Sequence, residues 1–432
     1  MSSTCKFLHP YSAPVNSVET AIFTLPETQV STESSIWCEI NPSGNFDADS
    51  SPIDFVISGS TEYYIDSSEI YIYLKCQLVN QDGTLVKKDE ILYPEQSFGN
   101  TFFKNVETYI NDQAVSIGPT HYAIQSYIGN LLNFSHGSKK GVLSSGGYYT
   151  DEQAHSDKFS KSTDKIWDVF SKVNVSLCNQ PKLIPNNCEV KFKFQRAPPG
   201  YYLRTSSDTI ANKSPYAKIL ETYLMVRKVK LTTKTFLDNE KALLANSAFY
   251  PLDRVDTKFF SISQGVSNHN IDHLSLGQEP KRILVAFQLN KILNGDYKSD
   301  SFDFTNFDIR NLSLFLNGNL YQRAYETKFS TNTDSIPLIS RAYMSLILNT
   351  TGIDPVGNDI NIDDFNKSTT LFCFDLTSSH DDCFTLINPV NNGEVGLKIQ
   401  FGTPTPAVVS AIVILQYSSM LEIDGTRSIL VK

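Results

Sequence analysis

Two stretches of this chain repeat one another: Asn105-Val-Glu-Thr-Tyr-Ile-Asn111-Asp112 and Asn311-Leu-Ser-Leu-Phe-Leu-Asn317-Gly318. Each ends on a dipeptide whose residues tolerate positive φ, which reads as a strand entering a tight turn. They stand 206 positions apart (311 − 105). A second pair keeps almost the same spacing, Glu189-Val-Lys-Phe-Lys-Phe-Gln195 and Glu394-Val-Gly-Leu-Lys-Ile-Gln400, at 205 positions (394 − 189). Each Asn-Asp or Asn-Gly strand precedes a helical stripe. Each Glu-Val strand precedes paired prolines, Pro198-Pro199 and Pro404-x-Pro406, and then a Val/Ile-rich strand. Matched segments in matched order argue for a duplicated domain.

Strand-like segments spread outward from these anchors. The first half offers Thr20–Leu25, Ser35–Ile40, Ile53–Ile57, Glu69–Val79, Val106–Ile110, Trp167–Leu177, Glu189–Gln195 and Leu220–Leu231. The second offers Ala248–Ile262, Arg282–Gln288, Leu312–Leu316, Thr370–Leu376, Glu394–Phe401 and Val408–Tyr417. Roughly eight strands per half is the count of a jelly roll. The expected fold class is therefore all-β: a double jelly roll of two tandem eight-stranded antiparallel sandwiches, with a short helix in each half. One helix should follow Pro119-Thr120, carry Ile124, Tyr127, Ile128, Leu131 and Leu132, and stop at Asn133. The other should be capped by Ser335, hold Pro337 in its first turn and run through Leu346 and Ile347. The expected organisation is an arm over 1–18, a first roll over 19–234 and a second over 235–432, with the boundary near Lys234–Asn239. Two long polar stretches, Ser135–Lys165 and Asn349–Thr369, read as loops at equivalent corners, either simply solvated or serving as contact surface for neighbouring subunits.

Composition agrees with a β-rich core. The 432 residues include 27 Phe and 21 Tyr but only 4 Met, and charged residues make up 19%. Net charge is −9, and the first eighteen residues hold one basic side chain, Lys6. A flexible arm that grips DNA or an anionic membrane is therefore disfavoured. Seven cysteines (5, 38, 76, 178, 188, 373, 383) lie far apart with no Cys-x-x-Cys, which reads as reduced thiols. The N-terminus lacks the apolar core of a signal peptide, so the sequons at Asn133 and Asn311 carry no expectation of glycosylation. The longest apolar run, Ala407–Leu415, is about half a bilayer span, and no transmembrane segment is expected.

Candidate chemistry falls away on inspection. His269 and His273 have the spacing of zinc ligands on a helix, but no helical stripe surrounds them. His380-Asp381-Asp382-Cys383 are adjacent residues whose side chains alternate and cannot converge on one ion. Ser162-Thr-Asp-Lys165 satisfies Ser-x-x-Lys only within a polar stretch. Gly137-Ser-Lys-Lys-Gly141 does not fit a phosphate loop, although Lys139 and Lys140 could touch phosphate. The paired Asp363-Asp364 need geometry to be judged. The sequence expectation is no enzyme, no catalytic residue, no metal and no cofactor.

Several segments resemble a known family. Pro52-Ile-Asp-Phe-Val-Ile-Ser-Gly59, Tyr63-Tyr64-Ile-Asp66, Ile70-Tyr-Ile-Tyr-Leu-Lys75 and Asn80-x-Asp82-Gly83-Thr84 are similar to the N-terminal signature of hexon-like major capsid proteins. The relevant members are those of Maverick/Polinton elements and adintoviruses. Phe102-Phe103, Tyr109-Ile-Asn111, Tyr122, Ser126-Tyr127, Leu131-Leu132-Asn133, Lys139-Lys140 and Tyr148-Tyr149-x-Asp151 continue the resemblance, which covers about residues 19–151. It implies a double jelly-roll capsid protein, located in the virion and made inside the host cell. Such a protein trimerises into pseudohexameric capsomers that tile an icosahedral shell around double-stranded DNA and meet minor, penton-type proteins. The rival readings are a glycan-binding jelly roll and a penton-type minor component, the latter disfavoured because a penton is usually a single roll.

Overall fold

The computed structural model describes residues 9–13, 15, 17–46, 52–116, 121–330, 336–350, 358, 360–380 and 387–431. Its four main sheets are built from two sets of eight antiparallel strands, and Tyr93–Pro94 pairs with Leu203–Arg204 in a further two-stranded sheet. The first set is β1 (Thr32–Ile40), β2 (Ile53–Ile57), β3 (Tyr63–Val79), β4 (Phe103–Ile110), β5 (Gln113–Ser116), β6 (Ile166–Lys172), β7 (Val190–Arg196) and β8 (Tyr216–Leu231). The second is β9 (Ala248–Ile262), β10 (Asn268–Gln278), β11 (Arg282–Leu289), β12 (Ile309–Leu316), β13 (Asn319–Leu320), β14 (Leu371–Asp375), β15 (Asn392–Phe401) and β16 (Val409–Ile423). The first set forms sheets ordered β1-β8-β3-β6 and β2-β7-β4-β5. The second forms β9-β16-β11-β14 and β10-β15-β12-β13, with Ile429–Val431 beside β16 and Tyr325–Glu326 beside β12. Adding eight to each strand number of the first pair of sheets gives the second pair. Both halves are jelly rolls with one connectivity.

The repeated sequence segments occupy matching places in this scheme. In the first roll β4 pairs with β7 and skips Lys104, since Phe103 faces Arg196 and Asn105 faces Gln195. In the second β12 pairs with β15 and skips Arg310, since Ile309 faces Phe401 and Asn311 faces Gln400. The turns match in detail. Asn111 and Asp112 have φ of 47° and 61°, Asn317 and Gly318 of 51° and 77°. The Glu189 N–H donates to Asn111 Oδ1 at 2.8 Å, and the Glu394 N–H donates to Asn317 Oδ1 at 2.9 Å. Each Asn therefore holds a left-handed turn and staples it to the next strand of its sheet. Asn111→Ala and Asn317→Ala should each destabilise by about 1–2 kcal/mol through strain and a lost hydrogen bond. In the double variant the losses should add within about 0.5 kcal/mol, checked by urea denaturation, because the turns share no partner.

Alternation explains the cores. On β3, Ile70, Ile72, Leu74, Cys76 and Leu78 are buried, while Tyr71, Tyr73 and Lys75 face the other way. Phe55, Phe103 and Phe194 close the first sandwich, with ring centroids 5.6 and 4.8 Å from Phe194. Phe287 and Phe401 meet at 6.3 Å in the second. Among the described residues, the four helices of nine or more residues frame the rolls and the joint between them: α1 (Tyr122–Asn133), α2 (Glu152–Lys161), α3 (Thr233–Ala245) and α4 (Ser340–Leu348). α3 links β8 to β9 and contains the residues 234–239 read as a boundary.

Three expectations are corrected. Thr20–Leu25 is not a strand; a 3-10 turn covers Val18–Thr20, and Phe23 is 93% exposed with no ladder to join among the described residues. The second helix begins at Ser340, not after residue 335, because Leu338 and Lys328 exchange backbone hydrogen bonds and hold Pro337 outside the helix; Ser335 itself lies outside the described residues. Ser135–Lys165 is largely helical, through His136–Lys140, a 3-10 turn at Val142–Gly146 and α2. Buried Phe159 anchors that stretch to the roll. Of Asn349–Thr369, residues 351–357 and 359 lie outside the described residues, and Ile362–Lys367 is a helix held by fully buried Phe365.

Candidate assembly surface

The joint between the rolls is the best-built feature of the molecule. Helix α1 leaves the first roll and lies on the outward face of the β9-β16-β11-β14 sheet. Gln125 Nε2 donates to Thr257 Oγ1 at 2.8 Å, and the His121 ring stands 4.2 Å from Phe259. Tyr127 stacks on Phe302 at 3.9 Å with the rings 11° apart. Nearby, the chain at 200 meets the chain at 295 so closely that a Cβ on Gly200 would sit 2.8 Å from the Gly295 carbonyl oxygen. The Thr205 N–H donates to the Tyr297 carbonyl at 2.7 Å, and Ser301 Oγ to the Tyr201 carbonyl at 2.7 Å.

A charged cluster is sealed into the same joint. Arg204 pairs with Glu152 at 3.1 Å and with Asp300 of the second roll at 3.5 Å. Glu95 is 1% exposed; its Oε1 accepts from Tyr149 Oη at 3.0 Å, and its Oε2 has no hydrogen-bond partner among the described residues. Burial, reinforced by the Asp300 charge, pushes the Glu95 carboxyl up to about 7. Burial also raises Asp300. Tyr149 stacks on His155 at 4.1 Å. Burial lowers both His155 and His121 to about 4, and for His121 the Lys104 charge adds to the effect.

These groups give opposed pH dependences. The histidines are depressed on folding, so their stability is present above about 6.5 and is lost as pH falls toward about 4. Glu95 is raised, so its contribution is present below about 4.5 and is lost as pH rises through about 7. His121→Gln should therefore shrink the stability lost between pH 6.5 and 4 by about 1–2 kcal/mol, a half-buried group keeping part of its hydration. Thermal melts across that range check it; an unchanged loss would contradict the role given to His121.

Beyond the joint, the two like sheets are covered unequally. In the second roll the outward residues Leu284, Ala286, Ile412 and Ile414 are as buried as their inward neighbours Ile283, Val285, Val413 and Leu415. In the first roll the corresponding face of β1-β8-β3-β6 is open. Tyr73 of β3 stacks on Tyr223 of β8 at 4.7 Å, Tyr71 on Phe170 of β6 at 5.1 Å, and Trp37 of edge strand β1 approaches Tyr71 at 6.2 Å. Trp37 is 53% exposed. Nothing in the chain covers this row among the described residues.

The residues singled out for chemistry do not converge. His269 and His273 lie on edge strand β10, and His273 Nδ1 pairs with Glu394. Ser162 Oγ accepts from the Lys165 N–H at 3.1 Å, while Lys165 Nζ, buried, donates to the Glu90 carbonyl at 2.7 Å. That pair closes a turn. Lys139 is also buried and donates to the Asn358 carbonyl at 2.5 Å; it ties the halves together and does not face solvent phosphate. Asp363 and Asp364 occupy the first turn of a short helix, and Asp381-Asp382-Cys383 lie outside the described residues. No group of three or more potential metal ligands is gathered among the described residues. Cys38, Cys76, Cys178, Cys188 and Cys373 are free of disulfides, and burial pushes the Cys178 thiol up to about 12. No helix among the described residues is long and apolar enough to cross a membrane.

Solved structures share this architecture end to end. A chain of the Sputnik virophage superposes with a TM-score of 0.61 at 9% identity, covering 100% of this chain and 94% of that one. The fold is that of the double jelly-roll major capsid proteins. The Faustovirus major capsid protein superposes at 0.57 with 9% identity, covering 95% of each chain. The mavirus major capsid protein does so at 0.51 with 11% identity, covering 98% of this chain and 96% of that one. In sequence, an uncharacterized protein of Caenorhabditis elegans is 22% identical over 94% of this chain and 98% of its own length. No family model matches the chain.

Proposed function

We propose that this chain is a viral or transposon-encoded major capsid protein. Its trimers would form pseudohexameric capsomers that tile an icosahedral shell around double-stranded DNA, with the protein located in the virion. The observation that carries this reading is the unequal covering of two like sheets: one is sealed by its neighbour roll within the chain, and the other is left open and lined with aromatics. Two like wedges per chain make six per trimer. Exposed aromatic faces of this kind suit large obligate interfaces. A net charge of −9 suits a shell that encloses DNA without a dedicated basic arm. The sequence resemblance over residues 19–151 supports an origin in a Maverick/Polinton element or adintovirus. We assign residues 1–18 to an arm, 19–234 to the first roll and 235–432 to the second. The role is structural and not enzymatic, and penton-type minor proteins are the further partners.

A flat row of partly exposed aromatics also favours, secondarily, a glycan-binding jelly roll. Light scattering of the purified protein separates the two. A particle of three 48.4 kDa chains supports the capsomer. A stable monomer that retains oligosaccharide on a glycan array supports the lectin.

A further inference from the structure

We propose that the open aromatic face of the first roll is the seat for the α4 side of a second copy of this chain. The contact would repeat, between chains, the joint that α1 makes within one. This rests on the capsomer reading and specifies which two surfaces meet.

The internal repeat supplies the two halves of this contact. Helix α1 follows β5 in the first roll, and α4 follows β13 in the second, so they are counterparts. α1 is pinned between its own roll and the outward face of the second roll's β9-β16-β11-β14 sheet, and eight of its twelve residues are buried. Among the described residues α4 packs against its own roll, burying Ala342 and Leu346. Its other side offers Met344, 39% exposed, and Leu348, 50% exposed, with Leu338 just before it. Among the described residues the chain thus holds one satisfied helix-on-sheet contact and two open surfaces that match the halves of another. The open helix is on the second roll and the open sheet on the first, and among the described residues the two do not pack on one another within one copy.

The sheet side has the right chemistry for a helix of this kind. Tyr71, Tyr73 and Tyr223 present flat rings with polar rims, and Met344 is an adaptable partner for such rings. The contact is heterologous: each copy gives α4 to one neighbour and receives α4 from the other on its sheet. Three copies, each spanning two sixths of a ring, would close it.

Heterology sets the test. One variant, Tyr73→Glu with Tyr223→Glu, breaks only the sheet side; another, Met344→Glu with Leu348→Glu, breaks only the helix side. All four residues are at least partly exposed, and circular dichroism and melting should match the wild type. Each variant alone should be monomeric by light scattering, with association weakened by about 100-fold or more. Mixed in equal amounts they should form a dimer of two 48.4 kDa chains and no trimer, because one intact sheet meets one intact helix. Trimers from either variant, or native-like variants that stay monomeric when mixed, would overturn the inference while leaving the capsomer reading intact. A wild type that is monomeric at every concentration and never forms shells would instead overturn that reading. If either double variant fails to fold, Tyr223→Ser and Met344→Ser carry the same mixing test with smaller losses.

Discussion

Tyr127→Ala should destabilise the chain by about 3 kcal/mol and loosen the rolls from each other before either unfolds. The ring lies flat on Phe302 at 3.9 Å and reaches toward Phe304 at 6.4 Å, so truncation removes the side chain that α1 drives into the second roll. Phe302 is buried and has no other large partner so close; Tyr201 approaches it only at 6.2 Å. A double-mutant cycle with Phe302→Leu should show coupling of about 1 kcal/mol, the usual worth of a stacked pair beyond its burial. Urea denaturation followed by signals from each roll gives both numbers. Coupling near zero would mean that the stack is incidental to the joint.

Arg204→Met should cost about 2–3 kcal/mol at pH 8 and distinctly less at pH 5. Removing the guanidinium leaves the Asp300 and Glu95 carboxylates in a closed joint with no opposing cation. Both groups are already raised by burial, and loss of Arg204 raises them further. A raised acid contributes stability below its unfolded value, about 4–4.5, that disappears as pH rises through the folded value. The deficit is therefore greatest above pH 7 and shrinks as the carboxyls protonate. Glu95→Gln in the Arg204→Met background should recover part of the loss at pH 8 and almost none at pH 5. A deficit that is flat with pH would show that Arg204 acts by packing alone.

Much of this fold was legible in the sequence because alternation and turn chemistry are local. Ile53–Ile57 and Ala248–Ile262 are strands over the residues read, and α1 ends at Asn133 as its stripe does. The repeat at Asn111 and Asn317 was legible because left-handed turns restrict residue choice strongly. The start of α4 was not, since Ser335 and Pro337 fit a helix start equally well and the Lys328–Leu338 pairing that displaces it is non-local. Helix α2 was missed because its periodicity rests on Phe159 alone amid polar residues.

The assembly face was half legible. Leu224 and Val226 alternate with Tyr223, Met225 and Arg227 along β8, which signals a sheet with one open side. The unbroken Ala411-Ile-Val-Ile-Leu415 on β16 signals burial on both sides. Read together, those two strands contain the asymmetry. Naming the neighbour that seals one of them required knowing where α1 goes.

Cryo-electron microscopy of the protein expressed alone reaches the capsomer and its aromatic seam in one step. Particles should show three chains making a ring of six similar upright sandwiches, singly or as part of a shell. A reconstruction in which the first roll's aromatic sheet faces open solvent, with no second copy against it, would contradict both the ring and the seam.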